Sequence, residues 1–193
     1  MTAGDHLSAL VHELTAGDET MAEAAALALA LQPGALPALT CLAGDPSPDR
    51  RWWAVRALAS FHEDAAIRAI ASALGDPDLS VRQCALRALV ENPSAELAPA
   101  LVPRLADPDP ISARLAGEVL LRIGAEAFPQ LVGVLETGTP PARIEAARAL
   151  ALMNDERAIG PLYRALSDES AMVCHWAEEG LERMGQNYLF FAP

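Results

Sequence analysis

The sequence predicts an all-α fold, a solenoid of about six helical hairpins, and two observations carry that prediction. Alanine and leucine recur four residues apart, in phase, at Ala25/Leu29, Ala54/Leu58, Ala85/Leu89, Ala116/Leu120, Ala146/Leu150 and Ala177/Leu181. With Met21, Arg50, Val81, Ser112, Ala142 and Val173 as position zero of each copy, successive copies are 29, 31, 31, 30 and 31 residues apart. A period near 30 that runs from end to end marks a repeat array, in which each unit buries its apolar face against the next.

The second helix of each hairpin is read first, because its pattern is the stronger. Apolar or small residues fall at offsets four, seven and eight in every copy and at eleven in four of them: Phe61, Ile123, Met153 and Met184. Offsets of 4, 7, 8 and 11 lie on one face at about 3.6 residues per turn, the buried stripe of an amphipathic helix. A strand would need alternation by two. None is visible.

Upstream of each second helix runs a first helix ending in leucine, at Leu14, Leu42, Leu74, Leu105, Leu135 and Leu166, followed by a turn such as GDP, ADPDP, TGTPP or SDES. Proline lacks an amide hydrogen but fits a first helical turn, so Pro46, Pro77, Pro108 and Pro140 are expected to stop one helix and start the next. Several first helices carry an early proline, at Pro37, Pro99, Pro129 and Pro161, while Pro103 sits deeper and should bend its helix. One domain, residues 1–187, then comprises repeats at about 5–34, 35–64, 65–96, 97–126, 127–156 and 157–187. Residues 188–193, with Tyr188, Phe190 and Phe191, fall outside the period. A terminal repeat has one uncovered flank, so this aromatic tail is expected to fold back as a cap, with exchange between two molecules as the alternative: a monomer or a tail-mediated dimer.

Composition narrows the partners. The net charge of -12 and a pI near 4.6 repel nucleic acid and anionic lipid. All fourteen basic residues are arginine, which a GC-rich coding bias in a bacterial protein explains; bidentate binding of carboxylates is the other reading. The first ten residues have no basic n-region, and the longest apolar stretch, residues 24–31, is far short of the ~20 that cross a bilayer. A cytoplasmic protein with no membrane attachment is expected. Cys41, Cys84 and Cys174 are odd in number and lack CxxC spacing, which argues against a disulfide framework and a zinc ribbon.

The turns carry a second regularity. Asp45 and Arg51, and Asp76 and Arg82, are six residues apart, so a turn aspartate can meet an arginine in the following helix or in that of the next repeat. Stacked turns would form a structural ladder. It is incomplete, with Asp107 opposite Ala113, Arg143 opposite Thr137, and Asp168 facing Cys174.

The AxPxL-like first helix, the DPDxxVRxxAxxAL turn and second helix, and the period near 30 closely resemble HEAT repeats of the short bacterial kind found in phycobilin lyases, over residues 5 to about 187. The resemblance implies an armadillo-type α-solenoid and says little about activity, because many unrelated proteins use that scaffold. Deoxyhypusine hydroxylase, a HEAT-like enzyme, holds two irons on His-Glu pairs at the start of second helices. Here His175 has the histidine offset but Trp176 replaces the glutamate, and Glu145 has the glutamate offset but Ile144 replaces the histidine. The pairs His12-Glu13 and His62-Glu63 are out of register, so no metal site and no cofactor are expected. Cys174 and His175 are adjacent in a helix and diverge by about 100°, which spoils a thiolate pair. An alkylated-DNA glycosylase role would need a basic face, against the net charge.

What remains is a row of outward positions. Offsets two and six, one turn apart, place Trp52/Arg56, Gln83/Arg87, Arg114/Glu118, Ile144/Arg148 and His175/Glu179 on a track along the second helices. The expected function is therefore non-catalytic: a scaffold or adaptor that binds a protein or peptide, an acidic one suiting the guanidinium groups, on the concave second-helix face. The candidate binding residues are Trp52, Arg56, Gln83, Arg87, Arg114, Arg148 and His175. The alternative, implied by resemblance alone, is a phycobilin lyase-like enzyme or enzyme subunit.

Overall fold

The computed structural model describes residues 3–186, and the expected cap at 188–193 lies outside them. Twelve α-helices alternate as first and second members of six hairpins, with no strand among the described residues. The described residues form two compact units, divided between Asn92 and Pro93, each with its own apolar interior.

The first unit holds three hairpins: α1 (Ala3–Leu14) with α2 (Glu19–Leu29), α3 (Ala35–Leu42) with α4 (Pro48–Leu58), and α5 (Asp64–Ser72) with α6 (Leu79–Glu91). Helices α2, α4 and α6 pack side by side, as do α1, α3 and α5. The phased residues are the reason: Ala25, Ala54 and Ala85 let the backbones approach, and Leu29, Leu58 and Leu89 fill the space between layers, all essentially inaccessible. Position zero is less regular. Val81 is buried, whereas Met21 and Arg50 are exposed, and Arg50 reaches back to Asp45 with Nη1 3.3 Å from Oδ2.

The second unit repeats the plan with α7 (Ala98–Leu101) and α8 (Pro110–Ile123), α9 (Phe128–Thr137) and α10 (Pro140–Met153), then α11 (Ile159–Ala165) and α12 (Ala171–Arg183). Its interior comes from Leu101, Leu105, Leu120, Leu131, Leu150 and Leu162. Pro103 does more than bend its helix. Without an amide hydrogen it cannot continue the α ladder, and α7 stops after one turn and passes into a 3-10 segment, Val102–Ala106. At Gly180 the approach of α12 to its neighbours is so close that a Cβ would lie 2.8 Å from both the Cα and Cβ of Ala151.

The helix starts correct one expectation. The prolines that open second helices are Pro48, Pro110 and Pro140, whereas Pro46, Pro77 and Pro108 lie two residues or more upstream, inside the turns. The caps stand between: Asp18, Asp78 and Asp109 accept backbone N–H groups of the helices they precede, at 2.7–3.2 Å.

Candidate partner-binding groove

The turn aspartates bind in two directions at once. Asp76 accepts the Asp78 N–H at 2.9 Å, which shapes its own turn, and takes both Nε and Nη2 of Arg51 at 2.7 Å from the preceding hairpin. The third nitrogen of Arg51 donates to the carbonyls of Asp45 and Pro46 at 3.0 Å, so one guanidinium ties two successive turns together. Arg82 donates to the carbonyls of Asp76 and Pro77 in the same way. In the second unit Arg143 Nη2 donates to Asp168 at 3.1 Å and Glu169 at 3.0 Å. Its Nε, buried and 3.0 Å from Asp168, lies too far off axis for a hydrogen bond. Asp107 accepts the Asp109 N–H at 3.0 Å. Cys174, at the arginine position of the last hairpin, donates Sγ–H to the Asp168 carbonyl at 3.2 Å and is a structural thiol.

These contacts set the charges. The Arg51 guanidinium beside Asp76 holds its carboxyl below the usual carboxylate range against the opposing effect of burial. At Asp168 burial pushes upward and is outweighed by the Ser170 N–H and Arg143, so that carboxyl is lowered too. Burial pushes the Cys84 thiol up to about 12, which leaves it protonated and unreactive at neutral pH.

The track at offsets two and six divides by residue. In the first unit Trp52 and Gln83 are half-buried and Arg87 is exposed. Arg56 is occupied, ion-paired with Glu23 of the preceding hairpin. In the second unit Arg114 and His175 are exposed, but Arg148 is not: it is 5% exposed, and the expectation of an outward guanidinium there is wrong. Second helices lie side by side, so offset six of one meets offset two of the one before. Arg148 Nη2 donates to the Arg114 carbonyl at 3.0 Å and Nε to Glu145 at 2.8 Å. Gly117 makes room, since even a Cβ there would stand 3.3 Å from Nη2.

What the first unit does present is a groove of about 740 Å³ between the N-terminal ends of its second helices. Trp52 and Trp53 line it as an edge-to-face pair with centroids 4.8 Å apart, so one indole is met only along its edge and its faces are left open by the other. Glu19, Glu23 and Asp49 line the same groove, with Arg50 and the small polar residues Thr15, Ser47 and Ser80. Adjacent tryptophans diverge on a helix, and the sequence sends Trp52 outward on that ground. The carboxylates were missed. Arg56 and Glu23 are 33 residues apart, one period plus one helical turn, a spacing that would have flagged the lateral pair.

A family model for HEAT repeats matches residues 35–122 and 98–182, together more than half of the chain. The chain belongs to the HEAT-repeat family. Among curated proteins no sequence relative matches. Solved structures share the fold: an engineered protein is 25% identical, with 92% of this chain and 98% of that one covered and a TM-score of 0.54. The complex of CpcE and CpcF of phycocyanin lyase from Nostoc sp. PCC7120 is 22% identical over 96% of this chain and 77% of that one, at 0.55. A designed armadillo repeat protein in complex with peptide (KR)4 is 19% identical over 92% and 99%, at 0.54. HEAT and armadillo repeats thus describe this architecture, and no helix among the described residues is long and apolar enough to cross a membrane.

Proposed function

We propose that this HEAT-repeat chain is a non-catalytic scaffold or adaptor of the cytoplasm that holds a protein segment against the second helices of its first unit. The groove carrying Trp52 and Trp53 supports this reading. Two large rings in an open cleft supply contact area at small cost in conformational freedom, and tryptophan is the residue most enriched among dominant contacts at protein interfaces.

The test is affinity capture from the native host with wild type and a Trp52→Ala variant of unchanged circular dichroism. Loss of one or more specific partners in the variant is expected. Equal capture by both proteins would remove the groove from consideration. A bilin spectrum acquired on mixing purified protein with free bilin would favour the lyase-like alternative.

A further inference from the structure

The lining of this groove is one-sided in charge. Three carboxylates, Glu19, Glu23 and Asp49, face it together with the single guanidinium of Arg50, which already stands 3.3 Å from Asp45. Glu19 and Asp49 are exposed and form no ion pair among the described residues. At two of the three helix ends by the groove an aspartate already takes the place of an anion: Asp18 caps α2 and Asp78 caps α6, each accepting backbone N–H groups. The third, α4, has no side-chain cap but carries the Asp49 carboxylate in its first turn. Arg56, the nearest cation of the track, is held by Glu23. The groove therefore sets the half-buried Trp52–Trp53 pair beside the carboxylates of Glu19 and Asp49, on a chain whose net charge is -12.

Indole faces attract cations through the ring quadrupole, arginine most of all because its planar guanidinium also stacks, and carboxylates add directional hydrogen bonds at the edge of the same group. An acidic segment would meet the carboxylates of Glu19 and Asp49 at the same place, and Glu23, already paired with Arg56, would offer it no cation. We propose that the groove of residues 1–92 binds a basic peptide segment, with an arginine or lysine side chain laid on the Trp52–Trp53 pair and held by Glu19 and Asp49. This rests on the scaffold reading and gives its partner a chemistry opposite to the acidic one expected from the arginine row.

The experiment is fluorescence anisotropy with labelled octapeptides of alternating glycine and arginine, or glycine and glutamate, titrated with the full chain. The arginine peptide should bind and the glutamate peptide should not. Binding should weaken roughly tenfold in Trp52→Ala, with most of it restored in Trp52→Phe. It should weaken comparably in the double variant Glu19→Gln, Asp49→Asn. A second double variant, Glu178→Gln, Glu182→Gln, makes the same change in net charge on α12 and should bind as wild type does. Arginine-peptide binding that drops equally in both charge variants, or that ignores Trp52, would be attraction to net charge alone and would overturn the proposal. So would no binding of the arginine peptide. Trp52-dependent binding of the glutamate peptide would overturn the basic occupant while leaving the scaffold reading in place, and that reading fails separately if capture from the host is indifferent to Trp52.

Discussion

At Arg148 a guanidinium at the same repeat offset as the exposed Arg87 lies under a neighbouring helix, bound to Glu145 and to the Arg114 carbonyl. Arg148→Ala would leave both acceptors short of a donor and should cost about 1–3 kcal/mol, whereas Arg87→Ala should stay within about 0.5 kcal/mol. Leu89→Ala and Leu120→Ala, each opening a cavity at a fully buried site, should cost about 2–5 kcal/mol. Urea denaturation of the four variants ranks them; equal losses at Arg87 and Arg148 would contradict the buried contact. Gly180→Ala tests packing from the other side. Helix propensity favours alanine by about 1 kcal/mol. The Cβ would strike the Ala151 backbone at 2.8 Å, so a net destabilisation is expected, read as a lower midpoint in the same measurement. The leucines and alanines were legible from their spacing alone. Arg148 was not, because its burial depends on the absence of a side chain at Gly117, one repeat away, and periodicity along one helix does not report what the adjacent helix leaves empty.

Between elements, the Arg51–Asp76 contact fastens the turn of one hairpin to the next, and its carboxyl is titratable. In the folded chain Asp76 has a lowered pKa, so it binds a proton less readily than in the unfolded chain. Its contribution is therefore complete above the ordinary carboxylate value of 3.8 and is lost as pH falls through the lower, folded value. Arg51 stays charged throughout, since Asp76 raises it further. Asp76→Asn should thus lower stability at neutral pH, and its stability should fall less steeply than that of wild type as pH drops from about 5 to 2. Denaturation midpoints across that range decide it; parallel curves would mean that Asp76 titrates alike in both states. The aspartate–arginine relation was visible as a six-residue spacing, but the choice between the same repeat and the next was open. The answer is both: carbonyls within the turn and the carboxylate of the next one. Helix starts were less legible, since Pro46 and Pro48 are equally able to open a helix; what separates them is the turn, in which Asp45 accepts the Ser47 N–H at 2.8 Å and leaves Ser47 extended just before the helix.

Across the whole molecule, salt should weaken binding without weakening the fold. Twenty-six acidic residues stand against fourteen arginines, so the compact state carries repulsion that added ions screen. The attractions that screening would weaken are smaller. Pairs such as Arg164–Glu136 and Arg183–Glu179 are exposed, of a kind that contributes little, while Arg51–Asp76 and Arg143–Asp168 are shielded by burial. Moderate salt is expected to raise the melting temperature or leave it unchanged. A basic segment in the groove of the first unit depends on the same acidic field, and its affinity should fall as the Debye length shrinks from about 10 Å at 0.1 M to about 3 Å at 1 M. Melting curves and anisotropy titrations over one salt series separate the two effects. Binding that survives high salt would place its energy in the tryptophan pair rather than in Glu19 and Asp49. A melting temperature that falls with salt would mean that surface ion pairs outweigh the self-repulsion of the chain.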